Sequence, residues 1–204
     1  MTQLSDSWQR AWHALTPSSV PDSALYAQLI QKYAEPQRHY HTLQHLAECI
    51  ARLEPALGLC RHPGEVEIAL WFHDAIYDIQ GADNEGQSAR WAVQALADAG
   101  VGAEATERVK NLVLATGHSA LPATDDERLL VDVDLAILGA EPGRFEEYER
   151  QIRQEYSHVP DQLFREKRRE ILAQFLARPR LYATPYFFSA LEARARDNIG
   201  RSLE

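Results

Sequence analysis

The tripeptide Phe72-His73-Asp74 closes an apolar run, Ile68-Ala69-Leu70-Trp71-Phe72. An imidazole and a carboxylate at the end of a run that reads as core need partners, because burying either alone is costly. A divalent metal satisfies both at once, through a neutral imidazole nitrogen and a carboxylate oxygen. Upstream stands Tyr40-His41-Thr42-Leu43-Gln44-His45, and downstream Val131-Asp132-Val133-Asp134-Leu135. Three separated blocks can therefore supply one mixed His/Asp site.

The spacing within each block sets a condition on the fold. His41 and His45 stand four apart, which on a helix places both imidazoles on one face, about one turn apart. His73 and Asp74 are adjacent and on a helix would diverge by ~100°. Asp132 and Asp134 are two apart and on a helix face away from each other. One of that pair is expected to bind metal and the other to support the structure or face solvent.

The elements that must position these residues read as helices. Leu4, Trp8, Trp12 and Leu15 recur as one helical stripe. Asp22 caps a second helix with Leu25, Leu29 and Tyr33 inward, closed by Pro36. Residues 41–57 are expected to form a third. Pro63 opens a fourth, expected to run through His73-Asp74. Further helices are expected near 88–99, 104–115, 127–139, 142–156, 161–177 and 186–200. Val131 to Asp134 alternates as a strand would, but it is short and lies among helix-forming leucines. The expectation is an all-α chain, taken as one domain over residues 1–204.

Bulk properties bound the function. The chain has 204 residues and a net charge of -9, from 21 Lys and Arg against 30 Asp and Glu. That balance argues against a general affinity for duplex DNA, which needs basic faces. Cys49 and Cys60 are the only cysteines and form no CxxC pair, so reduced thiols are expected. The first ten residues lack a signal-peptide core, and no apolar stretch approaches the ~20 residues of a membrane span. A cytoplasmic protein is the expectation.

The ordered set His, His-Asp, Asp on helical segments resembles the HD superfamily of metal-dependent phosphohydrolases. It looks closest to a bacterial group of about 200-residue proteins described as metal-dependent HD phosphohydrolases. The motifs that carry the resemblance are Arg38-His39-Tyr40-His41 with His45, His73-Asp74-Ala75-Ile76-Tyr77-Asp78, Asn84-Glu85 with Ser88-Ala89, Thr116-Gly117-His118, and Asp132-Val133-Asp134-Leu135 with Leu138-Gly139. The resemblance implies an HD-type helical bundle with a core over roughly residues 38–140 and additional C-terminal helices. It assigns His45, His73, Asp74 and Asp134 as metal ligands. Asp74 and Glu85 then belong to the catalytic set, and Arg38 and His118 to substrate binding.

The Tyr-His-x-x-x-His block is also similar to the opening motif of cyclic-nucleotide phosphodiesterases, which implies that His41 protonates the leaving oxygen. Thr42 stands where those enzymes have Asn, and Tyr77 where they have a further His. The implied cofactor is one divalent ion, Mn, Fe, Co, Ni, Zn or Mg, with a second ion an open alternative. The implied partner is a phosphorylated small molecule, a nucleotide being one option, handled by a monomer or homodimer. Two rival readings stand beside hydrolysis. One is a diiron HD-type oxygenase acting on a small polar compound, with His118 and His41 as extra ligands. The other is a catalytically silent nucleotide-binding module.

Several residues carry structural alternatives. Glu85 is equally a favourable acid in a first helical turn. Asp78 either orients a ligand or begins a loop. Arg153 and Tyr156 either line a pocket or pack helices. The run Arg165 to Glu170 is expected to be a solvated helix face.

Overall fold

The computed structural model describes residues 2–18, 20–117 and 121–204. Every regular element among them is helical, and the chain divides into two compact units, Met1–Val131 and Asp132–Glu204.

The first unit is organised around a helix that is apolar on every side. Helices α1 (Thr2–Leu15), α2 (Ser23–Tyr33) and α3 (Leu43–Leu53) precede it. Helix α4 (Pro63–Phe72) is buried at every position from Gly64 to Phe72. A helix without a polar face has no surface to give to solvent and becomes core. Helices α5 (Asn84–Asp98) and α6 (Ala103–Ala115) complete the surround, and α1, α3, α5 and α6 all pack against α4. Close approach of α1 requires glycine: a Cβ at Gly64 would lie 2.5 Å from the Ala14 Cβ.

Two acids on α4 are buried with their partners. Glu67 accepts from the Ser7 hydroxyl at 2.6 Å and the Arg10 Nε at 2.9 Å, and Ser7 in turn accepts from Trp71 Nε1 at 3.1 Å. Glu65 receives Arg108 through two nitrogens, each at 2.7 Å. At the start of α4, Asp126 accepts the backbone N–H groups of Arg61 at 2.7 Å and His62 at 3.0 Å. The Asp22 cap of α2 is present as expected, accepting from Ala24 and Leu25.

Helix α7 (Asp125–Asp134) spans the boundary between the units, so the Val-Asp-Val-Asp alternation belongs to a helix end and not to a strand. In the second unit a short 3-10 segment, Leu135–Gly139, leads to α8 (Pro142–Glu155), α9 (Asp161–Ala177) and α10 (Pro185–Leu203). Asn198 of α10 donates to the carbonyls of Leu138 and Ala140, both at 2.9 Å, and Tyr182 donates to that of Leu135 at 3.0 Å. Both cysteines are free thiols. No helix among the described residues is long and apolar enough to cross a membrane.

Candidate metal centre

His45 comes from α3, whose start differs from the sequence expectation. Thr42 is the N-cap, its hydroxyl accepting from Gln44 N–H at 3.2 Å. A threonine in that role keeps its own backbone extended. His41 therefore precedes the helix and does not share its face with His45, and α3 ends at Leu53. His45 itself lies on the buried side with Leu46, Cys49, Ile50 and Leu53.

His73 and Asp74 also sit differently from the expectation. Helix α4 stops at Phe72, and the pair lies in the turn that follows, closed by Ala75 N–H donating to the Phe72 carbonyl at 3.0 Å. His73 itself keeps helical backbone angles, φ -55° and ψ -41°. The two side chains nevertheless converge, with His73 Nε2 and Asp74 Oδ2 3.1 Å apart. The His73 Nδ1 lies 2.6 Å from the Leu70 carbonyl. A carbonyl only accepts, so Nδ1 carries the proton and the Nε2 lone pair faces the cluster.

Three donor atoms meet here. His45 Nε2 lies 3.1 Å from His73 Nε2 and 3.4 Å from Asp74 Oδ2. The two histidine side chains are 2% and 1% exposed, and that of Asp74 is 18% exposed. The Asp74 Oδ2 is buried yet accepts no hydrogen bond from the described residues. Ligands held ~2.0–2.2 Å from one ion stand roughly 3.0–3.5 Å from each other at angles near tetrahedral or octahedral. The observed separations have that size, and an unsatisfied buried carboxylate oxygen is what a cation would satisfy. The group can hold a metal ion. Burial by itself would push the Asp74 carboxyl up, but where the histidines are protonated the positive charges of His73 and His41 hold it well below the usual carboxylate range.

Sequence reasoning missed Cys49 as a neighbour of the site. Its Sγ lies 3.6 Å from His45 Nδ1 and 3.8 Å from His45 Nε2. The signal was present: Cys49 is four residues after His45 on the same helix.

His41 stands at the edge of the cluster. Its ring is 5.8 Å from that of His45, stacks on Tyr77 at 4.2 Å, and meets Tyr40 edge-on at 4.9 Å. Glu85 is not among the converging donors. It lies in the first turn of α5, where its Cγ would be 3.5 Å from a Cβ at Gly117. His118, the next residue, lies outside the described residues.

Arg38 corrects a sequence expectation. Its side chain is wholly buried, donating to the carbonyls of His41, Asp74 and Ala75, so it presents no open face to a phosphate. Asp78 begins a loop: its backbone N–H and carbonyl both bond the Asn84 side chain, at 3.0 and 2.9 Å. Arg153 packs, donating to the carbonyls of Tyr156 and Val159 and lying over the Phe164 ring. The run Arg165 to Glu170 is exposed except at Arg168, which lies over the Tyr148 ring and pairs with Glu149.

The two aspartates of α7 have separate settings within the second unit. Asp132 is 1% exposed and accepts from the backbone N–H groups of Ala183 at 2.8 Å and Thr184 at 2.7 Å, and from the Thr184 hydroxyl at 2.6 Å. Burial pushes its carboxyl up despite those donors. It fastens the loop before α10. Asp134 ends α7, half-buried.

Compared with known proteins, the chain matches no family model, no curated protein and no solved structure.

Proposed function

We propose that the protein is a metal-dependent phosphohydrolase that cleaves a phosphoester of a small molecule. The observation that carries this reading is the convergence of His45 Nε2, His73 Nε2 and Asp74 Oδ2 within 3.1–3.4 Å in a buried setting. The motif resemblance supplies the reaction class. These residues would hold a divalent ion, which would supply Lewis-acid activation of water and neutralise charge on a phosphoryl group. Mixed nitrogen and oxygen donors suit Mn²⁺, Fe²⁺, Co²⁺, Ni²⁺ or Zn²⁺.

The chain's own residues do the rest. The Leu70 carbonyl keeps His73 in the ligating tautomer. The walls around the histidines exclude water, which strengthens every charge interaction inside. His41 is the proton donor to the leaving oxygen, its ring steadied by Tyr77 and Tyr40.

The test is a panel of phosphomonoesters, nucleotides and cyclic nucleotides with the metal varied, run beside elemental analysis of the purified protein. Turnover that needs added metal and disappears in His73→Ala supports the reading. Iron retained with a diiron absorbance and no hydrolysis of any ester would replace it with the oxygenase reading, and nucleotide binding without turnover with the silent module.

A further inference from the structure

Arg38 lies in the connection between α2 and α3, where Pro36, Gln37 and His39 are exposed. Its own side chain is 0% exposed. Burying a guanidinium is costly unless its donors are used, and here they are. Nη1 donates to the His41 carbonyl at 3.1 Å and to the Asp74 carbonyl at 2.6 Å. Nη2 donates to the Ala75 carbonyl at 3.1 Å, and Nε reaches Glu35 at 3.4 Å. The Tyr33 and Tyr77 rings lie 5.3 and 5.5 Å from the guanidinium carbon. Tyr77 is also the ring on which His41 stacks.

One nitrogen thus spans the two segments that carry the site. It holds the backbone of His41 and that of Asp74 at once, and Tyr77 relates the same guanidinium to the His41 ring. We propose that Arg38 is a positioning residue that sets the separation between His41 and the His73-Asp74 turn and touches no substrate. Lysine cannot replace it. An ammonium lacks the planar fork that serves three carbonyls in different directions while its faces lie against rings.

The metal arm of the test rests on the function proposed above, and the exchange arm does not. Arg38→Lys keeps the charge and loses the fork. In the metal-free protein, hydrogen–deuterium exchange should rise about 10–100-fold in peptides covering residues 39–46 and 73–80, the scale expected from losing charge-assisted hydrogen bonds. Peptides from α6 and α8 should exchange as in the wild type. Unchanged exchange in the two segments, or a uniform rise throughout, overturns the proposal. With Co²⁺ as probe, R38K should bind about 10–100-fold more weakly, as expected for a residue that orients ligands, with an altered visible spectrum. Wild-type protein that fails to bind Co²⁺ overturns the metal reading, and the exchange result still decides the role of Arg38. Should R38K fail to fold, Arg38→Gln carries the exchange test, and unchanged exchange in the two segments, or a uniform rise throughout, overturns the proposal.

Discussion

The Leu70 carbonyl lies 2.6 Å from His73 Nδ1 and fixes which nitrogen of that imidazole faces the cluster. The acceptor is the backbone of the last turn of α4, so the helix that delivers His73 also sets its protonation. Changing His73 or Asp74 to Ala should abolish stoichiometric metal and any turnover while leaving the helical signal in far-UV circular dichroism nearly intact. Retention of stoichiometric metal by either variant would refute the ligand assignment. Added metal should raise the Tm of wild-type protein only, since an ion that binds the folded state alone stabilises it.

His41 and His45 should separate cleanly. His45→Ala is expected to lose metal. His41→Ala should keep metal and lose turnover by ~10²–10⁴-fold, the range for a general acid. The loss should shrink on esters with good leaving groups, which need less protonation. Equal losses on good and poor leaving groups would remove His41 from the acid role.

Asp132 and Asp134 are expected to fail in different assays. Asp132→Asn turns an amide toward the N–H donors of Ala183 and Thr184, leaving buried donors short of acceptors, at a cost of about 1–3 kcal/mol. Thermal or urea unfolding should show that loss, with Mn²⁺ affinity changed by no more than ~10–100-fold. Asp134→Asn should instead weaken Mn²⁺ binding strongly, as the resemblance requires. The reverse pattern in a Mn²⁺ titration would exchange the two roles.

Two pH effects should appear. Metal affinity should fall as pH drops, because protons compete for the ligating nitrogens of His45 and His73. The metal-free fold should respond through Asp74. The Asp74 carboxyl is held below its unfolded value. Its contribution to stability is therefore complete above ~3.9 and is lost as pH falls from there through the lower folded value. Urea unfolding of Asp74→Asn across this range should lack that part of the pH dependence. An identical profile for variant and wild type would show that the carboxylate is not stabilised in the fold.

The helices were legible because apolar periodicity and caps act locally. Trp8 and Trp12, the Asp22 cap and Pro63 at the start of α4 all stand where the pattern places them. A shared partner for His73 and Asp74 was expected from the cost of burying their side chains, and His45 beside them from the resemblance. What the sequence concealed was set by turns. Thr42 takes His41 off α3, and His73 and Asp74 lie in the turn after α4 with their side chains 3.1 Å apart. Arg38 read as an anion contact because its type suits phosphate. Only the tertiary fold brings the carbonyls of His41, Asp74 and Ala75 around it.

Asp126 binds the backbone N–H groups just before α4, and the histidine-aspartate turn follows the helix's other end. The peptide dipoles of a helix sum to partial positive charge at its start and partial negative charge at its finish. The positive pole is thus answered from within the protein, and the negative pole points at the cluster from a buried helix that solvent screens poorly. A dianion arriving there alone meets a carboxylate and a repelling pole. A cation is favoured by both, the pole contributing ~0.3–2 kcal/mol. Binding should therefore be ordered, with the ion first and the phosphoester after it. A phosphorylated ligand titrated into chelator-treated protein should give no measurable saturation.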